Sequence, residues 1–106
     1  MSLIACLIFI AAAFLEVSGD AVTRSGLRNN RWIYVLCGAL LLGLYGIVVN
    51  TMRWDFSKLI GAYVAFFALM SVLAGALFFR EHVPSSTWIG LGVIMLGGLI
   101  IQFGSK

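Results

Sequence analysis

The feature that most constrains this chain is a series of four long apolar runs, separated by short segments that carry most of its charge. A helix of about 20 residues, rising about 1.5 Å per residue, crosses a hydrocarbon core of about 30 Å. Every backbone amide within lipid must be paired, and these runs do not alternate as the strands of a membrane barrel do. Each run is therefore predicted to be a membrane-spanning helix, and the four helices cover about residues 2–22, 32–51, 59–79 and 86–103.

The composition also indicates an all-α membrane protein. The chain has 106 residues, of which 62% are apolar and 10% are charged, whereas a soluble domain is about 45–50% apolar and about 25% charged. Residues 1–106 are predicted to form a single four-helix transmembrane domain, in which short connections make neighbouring helices antiparallel. The first run could instead be a cleaved secretory signal, but it lacks a basic start and a small-x-small cleavage site.

Several classes of function are disfavoured. No Ser/His/Asp set, metal-ligand spacing or phosphate-binding loop can be assembled, so the chain is not expected to be an enzyme or to hold a cofactor. The net charge of +3 is not gathered into a basic stripe, so nucleic acid is not an expected partner. Cys6 and Cys37 both lie within apolar runs, where they are predicted to be small packing residues rather than a disulfide or metal ligands.

The positive charges that orient a membrane protein are divided almost evenly between the two sides. One predicted side carries Arg53, Lys58 and Lys106, and the other carries Arg24, Arg28, Arg31 and Arg80. Two interpretations stay open. The three arginines of the first connection could place both termini outside. Alternatively, the chain could insert in both orientations and form an antiparallel pair about a two-fold axis in the membrane plane.

Glu16 is the most informative single residue. It follows Leu3 by thirteen positions, so a straight helix places it about 20 Å into a core of about 30 Å. An ionised side chain at that depth costs roughly 2.5–3.5 kcal/mol on insertion scales, so it is expected to face protein or water and to exchange a proton. The alternative is that Glu16 snorkels at a helix end. Asp20 and Arg24 follow on the same stripe, which is compatible with an ion-pair ladder that leads to the surface.

Aromatic residues on the second and third predicted helices are candidates for cation binding. Tyr63 and Phe66 are three residues apart near the start of the third helix, and Tyr34 and Tyr45 lie on the second. The face of an aromatic ring attracts a positive charge, so these rings beside a buried carboxylate would suit an organic cation. For any one of them, packing is the simpler explanation.

Glycines in the fourth predicted helix indicate a helix contact. Gly90 and Gly97 are seven residues apart, on one face, and such small residues let two membrane helices approach closely. This helix is therefore the candidate for a contact between subunits. Gly61, Ala65 and Ala68 form a similar narrow stripe on the third helix, which favours close packing there.

Two segments resemble a known family. The stretch EVSGDAVTRS, from Glu16 to Ser25, is similar to the first-helix motif of the small multidrug resistance transporters, in which Glu-Val-x-Gly is followed by a basic residue eight positions after the glutamate. The segment FFREHVPSSTWIGLGVIMLGGLII, from Phe78 to Ile101, resembles the end of that family and of the wider drug/metabolite transporter superfamily. With the length and the four-helix plan, the resemblance spans nearly the whole chain.

The resemblance implies roles for particular residues. Glu16 would bind a proton and a cation in turn, Gly19 would be its close-packed neighbour, and Gly90 and Gly97 would form the dimer motif, in the cell inner (plasma) membrane. The sequence differs from the family in two places. Asp20 stands where a small hydroxyl residue is usual. The tyrosine and tryptophan of the third helix are matched only by Tyr63 and Phe66.

These observations lead to three hypotheses. The first is a proton-coupled exporter of small or lipophilic organic cations, working as an antiparallel homodimer that alternates its access. The second is an accessory subunit that pairs with a homologous four-helix partner to move a lipid-linked sugar or another metabolite. The third is a structural membrane peptide, which the intramembrane carboxylate disfavours.

Overall fold

The computed structural model describes residues 3–104 and contains the four expected helices. They are α1 (Leu3–Arg28), α2 (Trp32–Val49), α3 (Phe56–Leu77) and α4 (Ser85–Gly104). All four are long and apolar enough to cross a membrane, which confirms the prediction of an all-α, multi-pass membrane protein. The chain forms two compact units, the N-terminal pair of α1 and α2 and the C-terminal pair of α3 and α4.

The first helix is longer than predicted. It continues past residue 22 to Arg28, so Thr23 to Arg28 are helical rather than part of the first connection. Asn30 then takes a left-handed conformation with φ 54°, and the N–H of Arg31 donates to the Gly26 carbonyl at 2.8 Å. This is the hydrogen bond of a Schellman motif, which satisfies a carbonyl at the helix end. Hydropathy marks where lipid ends, whereas this local geometry decides where the helix ends.

The other boundaries also follow from local hydrogen bonding. At the end of α2, Asn50 Nδ2 donates to the Gly46 carbonyl at 2.8 Å, and Thr51 Oγ1 donates to the Val48 carbonyl at 2.7 Å. These side chains add a second hydrogen bond to carbonyls that also accept the backbone N–H groups of Asn50 and Thr51. The Pro84 carbonyl accepts the first hydrogen bond of α4 from the Thr87 N–H at 3.0 Å. Pro84 therefore starts α4, several residues after α3 has ended.

The two helices of the N-terminal pair cross at small residues. A Cβ on Gly38 would collide with Thr23 Oγ1 and would lie 2.8 Å from the Gly19 carbonyl oxygen. A Cβ on Gly26 would lie 2.9 Å from the backbone nitrogen of Val35. Only glycine lets the two backbones come this close, as in other tightly packed membrane helices.

The C-terminal pair packs through apolar groups. A Cβ on Gly98 of α4 would lie 2.8 Å from the Ala65 Cβ of α3, and one on Gly61 would lie 2.8 Å from Ile101 Cδ1. Gly61 and Ala65 therefore pack closely against α4, as their narrow stripe predicts.

Large apolar side chains cover the outer surface of the helices. Leu40, Ile47, Ile89 and Val93 are among many that are more than half exposed, as expected for groups that face lipid. Of the two cysteines predicted to be packing residues, Cys6 is half-buried but Cys37 is exposed on α2. That prediction is wrong for Cys37, because its position next to Gly38 turns it away from the contact with α1.

Candidate functional site

Glu16 lies near the middle of α1. It is thirteen residues after Leu3 and twelve before Arg28, so it is about 20 Å from one end of the helix and about 18 Å from the other. The extension of α1 to Arg28 places Glu16 near the middle of the helix, whereas the apolar run ends near residue 22, about 9 Å beyond Glu16.

Glu16 belongs to the stripe of α1 that packs against α2. The buried residues of α1 are Ala5, Phe9, Ala12, Ala13, Gly19 and Gly26, which recur at intervals of three, four or seven positions apart from the adjacent Ala12 and Ala13. Glu16 fills the place between Ala12 and Gly19, and Thr23 fills the place between Gly19 and Gly26. This spacing keeps residues on one helix face. Glu16 is half-buried at this place in the stripe.

Tyr45 is the residue of α2 that meets Glu16. The covered positions of α2 recur at the same spacing, at Val35, Gly38, Leu42, Tyr45 and Val49. An electrostatic interaction links the Glu16 carboxylate to the Tyr45 phenol, and Tyr45 is half-buried. The sequence shows Tyr45 only as one of several aromatic residues. The signal that could have singled it out is its place in the stripe that includes Gly38 and Val49.

One helical turn beyond Glu16, the two helices are at their closest. A Cβ on Gly19 would lie 2.9 Å from Leu42 Cγ and 3.1 Å from the Gly38 carbonyl oxygen. Thr23 Oγ1 is buried at this crossing and has no hydrogen-bond partner among the described residues. Gly19 is therefore a close-packed residue beside Glu16, and the crossing fixes the two helices on which Glu16 and Tyr45 lie.

The other charged residues of α1 lie outside this contact. Asp20 and Arg24 are both exposed, although each follows Glu16 at a helical spacing. Each residue advances the helix by about 100°, so the stripe passes through Gly19 and Thr23 and leaves Asp20 and Arg24 on the adjoining face. The predicted stripe of three charged residues thus has one half-buried member and two exposed ones.

The two predicted aromatic site residues lie on α3, in the C-terminal pair. Tyr63 is buried, at 2% exposed, and its ring stacks on Phe67 with centroids 6.4 Å apart. Phe66 is half-buried. Stacking on Phe67 and burial leave little of the Tyr63 ring exposed, whereas a cation needs an accessible ring face.

The two glycines of the predicted dimer motif are uncovered within the chain. A Cβ on either Gly90 or Gly97 would have no neighbour within 4 Å, whereas one on the adjacent Gly98 would touch Ala65. Gly98 therefore makes the contact with α3. Gly90 and Gly97 point elsewhere, and their face is open.

The chemistry available at Glu16 is that of a single carboxylate beside a phenol. Within residues 3–104 there is no group of three or more His, Cys, Asp or Glu side chains that could hold a metal ion. A carboxylate can take up a proton or pair with an organic cation, but a protonated carboxyl group no longer attracts the cation. The arrangement can therefore exchange one for the other.

Comparison with known proteins places this chain among bacterial membrane proteins. The family described as "Uncharacterised BCR, YnfA/UPF0060 family" matches residues 2–106. UPF0060 membrane protein YfjF of Bacillus subtilis is 32% identical over 108 residues, which cover 100% of this chain and 99% of YfjF. A UPF0060 membrane protein of Rhodococcus erythropolis is 40% identical over 70 residues, 63% of this chain and 64% of the relative.

A third relative, UPF0060 membrane protein sll0793 of Synechocystis, is 24% identical over 107 residues, which cover 100% of this chain and 99% of that protein. No solved structure matches the chain.

Proposed function

The chain belongs to the YnfA/UPF0060 family of membrane proteins, and from this premise we propose that it is a proton-coupled antiporter that exports small or lipophilic organic cations. Its first-helix motif and its final segment resemble those of the small multidrug resistance transporters. The observation that carries the proposal is the position of Glu16, half-buried within the apolar run of α1 and in electrostatic interaction with Tyr45 of α2.

The movements of the proton and the cation are coupled because Glu16 binds only one of them at a time. The deprotonated Glu16 attracts a cation, and a proton that arrives from the other side neutralises the carboxylate and releases the cation. Each tenfold difference in proton concentration across the membrane supplies about 1.4 kcal/mol per proton. Coupling needs no further cofactor, provided that the carboxylate faces one side at a time.

Alternating access requires a second set of helices against which the first can move. In the proposed assembly, two copies in opposite orientations provide it, as the two halves of inverted-repeat transporters do. The uncovered face of α4 at Gly90 and Gly97 is the proposed contact between the copies, because small residues allow close helix packing in lipid. Each copy contributes one Glu16 to the proposed dimer.

The test is transport by the protein reconstituted alone in liposomes. The liposomes are made more acidic inside than outside. Uptake of a lipophilic cation such as tetraphenylphosphonium is then followed together with the internal pH. The wild type is expected to exchange cation for protons, and Glu16→Gln is expected to lose this exchange. Asp55→Asn is the matched control, because Asp55 precedes α3 and its side chain makes no capping hydrogen bond.

Equal exchange by the wild type and Glu16→Gln would overturn the mechanism. Exchange that arises only after a homologous four-helix protein is added would favour the second candidate. The chain would then act as an accessory subunit of a transporter for a lipid-linked sugar or another metabolite.

A further inference from the structure

The turn between α3 and α4 encloses a pocket that the transport proposal does not use. The pocket has a volume of about 210 Å³ and is lined by Ser71, Glu81, His82, Pro84 and Thr87, among others. All of these residues belong to the C-terminal pair. The pocket lies where the chain leaves one apolar helix and enters the next, which is the level of the lipid headgroups.

The backbone of the turn places the Glu81 carboxylate at the end of α3. Arg80 adopts a left-handed conformation with φ 53°, which reverses the chain after the helix. The N–H of Glu81 then donates to the Gly75 carbonyl at 3.0 Å. The side chain lies along the same surface, since a Cβ on Gly75 would be 2.5 Å from Glu81 Oε1. The absence of a side chain at Gly75 is therefore what makes room for the carboxylate.

The polar groups that line the pocket are Ser71, Glu81, His82 and Thr87, beside the apolar Val72, Val83 and Pro84. The Ser71 hydroxyl donates its proton to the Ala68 carbonyl at 2.9 Å, so its lone pairs remain for a ligand. Glu81 offers two carboxylate oxygens, and the end of α3 carries the partial negative charge of a helix C-terminus. The Glu81 carboxylate and this helix end favour a cation over an anion. Calcium and magnesium need more oxygen ligands than one carboxylate supplies.

We propose that this turn pocket binds a primary ammonium group, carried by a phosphatidylethanolamine headgroup or by a small free amine. Three N–H donors match the acceptors at Glu81 and Ser71, and a charged donor makes the stronger kind of hydrogen bond. A trimethylated ammonium has no N–H to donate, so phosphatidylcholine is a poor ligand for the same pocket.

The experiment measures the thermal unfolding midpoint of the full chain in a non-ionic detergent. Three probes are titrated separately: short-chain phosphatidylethanolamine, phosphatidylcholine with the same chains, and ethanolammonium chloride. A ligand that binds only the folded state raises the midpoint as its concentration exceeds its dissociation constant. Phosphatidylethanolamine is expected to raise the midpoint and phosphatidylcholine is not. A rise with ethanolammonium as well would show that free amines are accepted, and no rise would restrict the ligand to the lipid.

Two variants locate the effect. Glu81→Gln removes the charge and keeps the backbone hydrogen bond, and it is expected to weaken phosphatidylethanolamine binding by about tenfold or more. Gly75→Ala keeps the charge but displaces the carboxylate, so it is also expected to weaken phosphatidylethanolamine binding. Asp55→Asn, which removes an acidic group from another connection, is expected to leave binding unchanged.

The inference stands apart from the transport proposal, because Glu16→Gln is expected to retain the phosphatidylethanolamine effect. Equal unfolding midpoints with phosphatidylethanolamine and phosphatidylcholine would overturn the inference. An undiminished phosphatidylethanolamine shift in both Glu81→Gln and Gly75→Ala would also overturn it. So would a shift that is lost in Glu16→Gln and kept in Glu81→Gln.

Discussion

Close helix packing has different roles in the two helical pairs. In the N-terminal pair, glycines at the crossing of α1 and α2 bring the backbones together beside a half-buried carboxylate. In the C-terminal pair, Gly61 and Gly98 bring together only apolar groups, and the charged residues lie in the first turn of α3 at Lys58 and in the connection to α4. A charge within lipid is tolerated only where protein covers it. The first pair is thus arranged to hold a charge at mid-helix, and the second to pack.

The largest difference between the pairs is expected at the crossing of α1 and α2. Gly38→Ala would push a methyl group into Thr23 and into the Gly19 backbone, which cannot move without shifting a helix. We expect a loss of about 2–3 kcal/mol in the free energy of unfolding. Gly43→Ala, on the same helix with no neighbour within 4 Å, is the matched control. Unfolding titrations in SDS measure both, and equal losses would contradict the assigned contact.

Tyr45 tests whether the N-terminal pair carries the chemistry. Tyr45→Phe removes the phenol that interacts with Glu16 and keeps the ring, so cation exchange is expected to fall about tenfold while the fold is kept. Tyr34→Phe is the control, because Tyr34 is at the start of α2 near the Arg31 guanidinium. Initial rates at several cation concentrations separate an effect on binding from one on turnover. Unchanged rates in Tyr45→Phe would remove Tyr45 from the site.

A smaller effect is expected within the C-terminal pair. Gly98→Ala would bring its methyl group against the Ala65 methyl and is expected to cost about 1 kcal/mol of unfolding free energy. Gly97→Ala adds the same group on the uncovered face, so it should leave the stability of the chain unchanged and weaken association of two copies. Crosslinking in liposomes measures the association. If only Gly98→Ala weakens the association of two copies, then the face of α4 at Gly98, and not the face at Gly97, forms the contact between copies.

The smallest contrast is between the two turns. Asn30 and Arg80 both have left-handed backbones, but asparagine adopts this conformation more readily than arginine does. Asn30→Ala is therefore expected to cost about 0.5–1 kcal/mol, whereas Arg80→Ala should leave the unfolding free energy nearly unchanged. Equal losses, measured by the same SDS titration, would show that side-chain contacts rather than backbone preference decide both positions.

The helices could be predicted from the sequence, with the start of α2 and both ends of α4 within one residue, but the end of α1 could not. Lipid imposes a length and an apolar composition on every span, so hydropathy was enough to find all four. The end of α1 depends on the left-handed Asn30 and on the fit of Gly26 against Val35. Neither contributes to hydropathy, and so the predicted end near residue 22 falls short of Arg28.

Of the candidate site, only the charged residue, Glu16, could be predicted from the sequence. Glu16 is conspicuous because a carboxylate is rare in an apolar run. Tyr45 is not conspicuous, since its role depends on which faces of α1 and α2 meet. That choice is made by Gly19, Gly26 and Gly38, whose lack of side chains sets the crossing. Helical spacing narrows the options but does not select one face among several that contain small residues.

The most direct test of the central claim is proton release from the detergent-solubilised protein when a cation binds. Tetraphenylphosphonium is added to weakly buffered wild-type protein, and a pH indicator records the protons set free at several starting pH values. The account predicts that the wild type releases protons on binding and that Glu16→Gln releases none. Cation binding by the wild type without proton release, or equal release from Glu16→Gln, would contradict it.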